Sequence, residues 1–209
     1  MISSLEGATG TFSVSNIDLI ESGQPSLSSS NLTSGSADFA SSVTKINDGL
    51  IYNSLLVIDT TNTFTPSDSS IISIFLDTSV NLLGYDIFSI ASLTGTGQGR
   101  AGQIYNLELS LVDDNSFFLI TGDTGNTVSR LSSASEQQVT ITGDGGGVLG
   151  SGVDAFRFTF FDAPNESMFR EIDIFGVSTA TSVPEPTSLA LLGLGLAGIG
   201  FLRKKKAAE

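Results

Sequence analysis

The chain has no cysteine, no histidine and no tryptophan in its 209 residues. Without cysteine no disulfide holds it, which fits either a reducing compartment or an exported bacterial domain stable without cross-links, and does not decide between them. Lacking histidine as well, it has neither the usual ligands of zinc and copper nor the commonest general base. A Ser-His-Asp hydrolase is excluded, however many serines are present. Basic residues are scarce too, nine Lys+Arg against 22 Asp+Glu. Four of the basic and two of the acidic residues lie from Pro184 onward, so the part upstream carries 5 − 20 = −15. Such a surface repels nucleic acid and anionic membranes and is compatible with Ca²⁺ or neutral glycans.

Helix signals are nearly absent before residue 180, and no repeat of solenoid or propeller period occurs. What is there instead is a series of short β-branched and aromatic runs punctuated by Gly, Asn, Asp and Ser. Residues 11–15, 71–76, 105–111, 117–120 and 138–141 alternate apolar and polar positions, and 155–161 and 171–177 are the clearest strands. Successive side chains on a strand face opposite ways. Phe156, Phe158 and Phe160 therefore share a core face, with Arg157, Thr159 and Phe161 opposite. In the last strand Ile172, Ile174 and Gly176 oppose Glu171, Asp173 and Phe175. The Ser- and Gly-rich stretches 26–42, 94–102 and 143–152 read as long connections. Together these predict an all-β fold, a jelly-roll β-sandwich over residues 1–180.

Several stretches imitate functional motifs. Gly95, Gly97 and Gly99, and the run 143–147, have the spacing of phosphate cradles but open no helix and lack a Gly-Lys-Ser/Thr ending, so they are loops. The acidic groups at 113–115 and 162–166 read as turns. A carboxylate pair for glycoside hydrolysis needs only a few ångströms of separation across a cleft, and nothing in the sequence picks one out.

The C-terminus is of a different kind. Val183, Pro184, Glu185 and Pro186 precede an apolar run at 188–202 with no polar residue at helical period between 189 and 201, and Arg203, Lys204, Lys205 and Lys206 follow. A breaker, an apolar helix and a basic stop in this order make an anchoring and processing signal. The run of 15 residues is short of the roughly 20 a bilayer needs, and snorkelling of Arg203 and Lys204 extends it to a marginal span. The basic stop then stays in the cytoplasm with residues 1–183 outside. This tail resembles the PEP-CTERM sorting signal of exported bacterial proteins. The resemblance implies an exosortase-type processing enzyme as partner, cleavage near Pro-Glu-Pro, and release from the inner membrane to the cell surface or extracellular matrix. The expected organisation is a sandwich at 1–180, a linker at 181–187, a transmembrane sorting helix at 188–202 and a basic cytoplasmic tail at 203–209. An exported chain should also begin with a basic and then an apolar region; residues 1–7 offer neither, so the expectation is a start further upstream or a shortened chain.

Upstream, residues 45–49, 81–90, 105–113, 156–158 and 170–176 resemble a galactose-binding-like, discoidin or F5/8 type C-like jelly roll, with an early Asn-Asp-Gly turn and a closing strand of Arg-Glu-Ile-x-Val-x-Gly type. Members commonly hold a structural Ca²⁺ between those two features. Carried over, Asp48 and Glu171 would supply carboxylates, and backbone oxygens near Lys45 and Leu50 would complete the set. The plainer alternative has Asp48 closing its own turn and Glu171 facing solvent or pairing with Arg170 or Arg157. Lectin-like members bind sugar at loop ends, which the resemblance places here at Arg100, Gln103, Tyr105 and Phe117. The implied function is that of an exported, non-catalytic glycan-binding or structural module with glycan or exopolysaccharide as partner and no nucleic acid. Two alternatives stay open: a secreted polysaccharide hydrolase or lyase using loop carboxylates, and a matrix protein with no ligand.

Overall fold

The computed structural model describes residues 1–8, 10–15, 18–20, 27–30, 46, 70–79, 81–95, 101–120, 127–161 and 168–180. Those residues form ten strands: β1 (Ile2–Gly7), β2 (Leu27–Ser30), β3 (Ser70–Phe75), β4 (Tyr85–Thr94), β5 (Gln103–Leu111), β6 (Asp114–Leu119), β7 (Thr127–Arg130), β8 (Glu136–Thr142), β9 (Gly150–Phe160) and β10 (Phe169–Ser178). A short 3-10 turn at Asp144–Gly146 precedes β9. Every pairing is antiparallel.

Pairing separates the strands into two layers. One layer runs β1-β8-β4-β10. The other runs β2-β3-β9-β5, with β7 and β6 sharing the far edge of β5. They join at a corner, where Tyr85 and Ile87 at the start of β4 pair with Val153 and Gly150 of β9. From β3 onward the chain changes layer at β4, β5, β8, β9 and β10, which is how a jelly roll is wound.

Alternation decides what fills the space between the layers. Ile72 and Ile74 of β3, Tyr105, Leu107 and Leu109 of β5, and Phe156, Phe158 and Phe160 of β9 are all buried, as are Val139, Ile141, Ile172 and Ile174 from the other layer. Phe158 and Phe160 stack at 5.9 Å, Tyr105 lies 5.7 Å from Phe158, and Phe169 meets Phe160 edge-on at 4.7 Å. Burying each such side chain stabilises the fold by about 1.5–3 kcal/mol.

One expected strand does not form. Residues 11–15 alternate, with Phe12 and Val14 half-buried, yet they make no strand. Their donors go to a local turn and to carboxylates rather than to a partner strand: Thr11 N–H is shared between Ala8 O at 3.1 Å and Glu136 Oε2 at 3.2 Å, and Ser15 N–H bonds to Asp173 Oδ2 at 3.1 Å. Further along, Asp18 Oδ1 accepts from the N–H groups of Ile20 and Ile174, and Leu19 N–H bonds to Ile174 O. The segment is thus a strap along β10, and it covers a strand edge that would otherwise invite pairing.

Residues Met1–Thr179 form one compact unit and Ala180–Glu209 a second. The expected helix at 188–202 and its basic stop lie outside the described residues. Among the described residues no helix is long and apolar enough to cross a membrane.

The first unit ends on Asp86. Its Oδ1 accepts from the hydroxyls of Ser151 at 2.5 Å and Thr179 at 2.8 Å. These bonds, Ser151 first and Thr179 next, hold its carboxyl below the usual carboxylate range against a small opposing effect of burial. A pKa depressed by folding gives stability that is present above the unfolded value near 3.9 and lost as pH falls through the folded value. Urea midpoints should therefore fall between about pH 4 and pH 2, and Asp86→Ala should fall less over that interval. Equal slopes for the two proteins would show that the bonds to Asp86 carry no linkage.

Candidate functional site

The outer face of the layer containing β9 is built by the residues that the core leaves over. Register sets them in rows. Phe75 of β3 stands beside Ala155 of β9 and Ser110 of β5; Ser73 stands beside Arg157, Glu108 and then Leu119 of β6; Ile71 stands beside Thr159, Asn106 and Thr127 of β7. Phe75 and Leu119 are exposed.

Arg157 organises the middle row. Its Nε and Nη2 donate to Glu108 Oε2 and Oε1, each at 2.5 Å, and its guanidinium carbon lies 4.4 Å from the centre of the Phe117 ring. The bond to Glu108 raises the Arg157 pKa from its already high value, so the guanidinium stays charged. A forked Arg-carboxylate pair is planar and rigid, and the ring contact adds about 0.5–1 kcal/mol at an exposed site. Beside it Thr127 Oγ1 donates to Asn106 Oδ1 at 2.8 Å. The face thus offers aromatic surface next to fixed donors and acceptors, the combination that an amphipathic ring ligand requires. Phe117→Ala should lower stability by only about 0.5–1 kcal/mol in urea melts; a loss of several kcal/mol would place Phe117 in the core instead.

The residues expected from the sequence fall in different places. Phe117 lies on this face. Gln103 and Tyr105 do not, and the expectation that they face a ligand is corrected: both are fully buried. Ser92 Oγ donates to Gln103 Oε1 at 2.6 Å and lies 3.0 Å from the Tyr105 hydroxyl. The Gln103 amide in turn donates to the backbone oxygens of Ser92 and Gln137, both at 3.2 Å. These side chains brace one layer against the other. Arg100 lies outside the described residues.

Of the expected Ca²⁺ set, Asp48, Lys45 and Leu50 lie outside the described residues. Glu171 is described, and it is buried, not solvent-facing. It shares the outer side of β10 with Asp173, one of whose oxygens is engaged by Ser15 N–H. Among the described residues no group of three or more His, Cys, Asp or Glu side chains is arranged to hold a metal. Of the two alternative partners expected for Glu171, Arg157 is taken by Glu108, and Arg170 is buried with its Nε given to Gly95 O. Sequence reasoning missed Glu108 because the two residues are 49 positions apart. Alternation turns both away from the core, but only the β5–β9 register makes them neighbours.

Beyond Thr179 the chain leaves this unit with Pro-Glu-Pro, an apolar run and a basic cluster. Residues 182–205 match the PEP-CTERM protein-sorting motif. Val183, Pro184, Glu185, Pro186, Arg203, Lys204 and Lys205 lie inside the matched sorting motif, and Lys206 follows it. No curated protein matches the chain in sequence. Among solved structures it is similar to CpGH89CBM32-4, produced by Clostridium perfringens, in complex with glcNAc-alpha-1,4-galactose, at 14% identity and TM-score 0.43, covering 80% of this chain and 99% of that one. It is also similar to an F5/8 type C domain of a Bacteroides fragilis protein, at 15% identity and TM-score 0.40, covering 74% of this chain and 92% of that one.

Proposed function

We propose that the chain is an exported precursor whose tail is processed by an exosortase-type enzyme, and that residues 1–179 are then presented at the cell surface or matrix as a non-catalytic glycan-binding module. The observation that carries the first half is the sorting motif at 182–205, which begins three residues after Thr179, the last residue of the compact unit. The test is fractionation of cells expressing, behind a secretory leader, the full chain and a form ending at residue 181, which should be released without passing through the membrane fraction. The full chain should be found first in the inner membrane and later, shortened, outside it. An uncleaved full chain dissolved in the cytosol would end the proposal.

The second half rests on the Phe117–Arg157–Glu108 face. Both Glu108 oxygens are engaged by Arg157, which suits the pair to holding hydroxyls and unsuits Glu108 to proton transfer. The charge of −15 upstream of the tail favours a neutral polysaccharide over a polyanionic one. In a pull-down with a neutral exopolysaccharide the wild-type unit should be retained and Phe117→Ala should lose about tenfold in affinity, the loss of one ring-to-ring contact. Equal retention of the two proteins would remove this face from the account.

A further inference from the structure

The end of the folded unit is held by polar groups where packing is thin. In β10 the apolar residues Ile172 and Ile174 are buried, but Phe175 and Val177 after them are exposed. At Thr179 the chain is gripped again. Its N–H donates to Gly84 O at 2.9 Å, its hydroxyl donates to Asp86 Oδ1 at 2.8 Å, and that same hydroxyl accepts from Gly152 N–H at 3.2 Å. Two segments, the entry to β4 and the start of β9, converge on this one residue. Gly84 can sit there because it is glycine: its φ is 73°, and a Cβ would meet Gly152 C at 2.6 Å. Asn81 gives its side-chain amide to the same oxygen, Gly84 O.

The sorting motif starts three residues further on, and Pro184 lies five residues beyond Thr179. Five extended residues reach about 17 Å, so an enzyme that takes Pro-Glu-Pro into its cleft does so with the folded unit close by. Were the grip lost, the end of β10 would be held only by its ladder to β4 at Gly176, Val177 and Ser178, with little apolar burial behind it. Peeling back to Ile174 would give about ten residues and about 34 Å.

We propose that Thr179 and Asp86 are positioning residues for tail processing, fixing the point where the chain leaves the fold and hence the reach of the sorting motif. The inference rests on the proposed processing by a membrane-bound transpeptidase. In that reaction an enzyme nucleophile attacks a peptide carbonyl near Pro-Glu-Pro, the C–N bond breaks, the tail departs with the nucleophile's proton on its new amino terminus, and the folded unit, held as an acyl group, passes to an acceptor amine or to water. Neither Thr179 nor Asp86 touches the reacting atoms. They set how far the reacting bond stands from the sandwich.

Pulse-chase of the full-length chain, in cells that carry the processing enzyme, tests the inference. Deleting residues 180 and 181 leaves the motif intact but shortens the reach to Pro184 to about three residues, about 10 Å. Processing should slow by at least about tenfold, since misplacement of a reacting bond by even an ångström can cost more than that. Adding Thr179→Val, which keeps the shape and loses the hydroxyl, should restore the rate to within about threefold of wild type, the remainder that an uncaught strand end leaves. Thr179→Ser in the same deletion should stay slow, because the hydroxyl is kept. Asp86→Ala is the second route to the open state and should restore the rate as Thr179→Val does. Urea midpoints of all variants separate misfolding from mispositioning. The inference is overturned if the deletion is processed at the wild-type rate, or if neither Thr179→Val nor Asp86→Ala rescues it while folded. If wild type itself is never processed, the reading of the tail fails and the inference with it.

Discussion

Phe158→Ala is expected to cost about 3–5 kcal/mol of stability, the range for emptying a buried aromatic position. Phe158 is fully buried at the centre of β9, paired on one side with Ile72 of β3 and on the other with Leu107 of β5. Its ring stacks on Phe160 at 5.9 Å and tilts against Tyr105 at 5.7 Å. Removing it takes away buried apolar area and opens a cavity that two backbone-fixed sheets cannot close. Neighbouring Arg157 offers the contrast, since Arg157→Ala affects only the outer face and an ion pair that is partly in water, of a kind commonly contributing less than about 1 kcal/mol. Urea unfolding of both variants checks the claim. Comparable losses for Phe158→Ala and Arg157→Ala would mean that alternation along β9 does not define the core.

That alternation was legible in the bare sequence, which is why the β9 and β10 faces agree with expectation. Phe156, Phe158 and Phe160 could share only one side of a strand, and Ile172 and Ile174 likewise. Other features needed the partner strand. The alternating residues 11–15 have the pattern of a strand and are a strap, because Glu136 and Asp173, 125 and 158 positions away from their partners, take their N–H groups. Gln103 and Tyr105 looked like loop-end ligands beside a Gly-rich stretch, yet Ser92 and the backbone of Gln137 draw them inward. A polar side chain on the core side of a strand can be satisfied or exposed, and local sequence does not distinguish the two. The tail was the reverse case. Its order of Pro-Glu-Pro, apolar run and basic cluster is a one-dimensional signal that depends on no register, and residues 182–205 match the sorting motif.

Gly95→Ala should be about as damaging as the loss of an aromatic, through a different mechanism. Gly95 follows β4 with φ at 112°, outside what an L side chain ordinarily adopts. A Cβ built on it would stand 2.2 Å from Ser135 O and 2.8 Å from Glu136 Cα. Those are backbone atoms, and Glu136 cannot retreat readily, since it opens β8 and its carboxylate holds Thr11 N–H. Gly95 also carries two bonds of its own: its N–H donates to Met168 O at 2.9 Å and its oxygen accepts from Nε of the fully buried Arg170. Backbone strain of about 1–3 kcal/mol and overpacking of about 1–3 kcal/mol add at this position. Gly145→Ala separates the two contributions. Gly145 has φ of 65° and nothing within 4 Å of the point where a Cβ would stand, so its substitution should show the conformational cost alone, about 1 kcal/mol. Unfolding free energies from urea melts of the pair should therefore differ by the overpacking contribution, about 1–3 kcal/mol, with Gly95→Ala the weaker protein. Equal losses would mean that the chain around Ser135 yields, and that the junction of β4, β8 and β10 is softer than its backbone contacts imply.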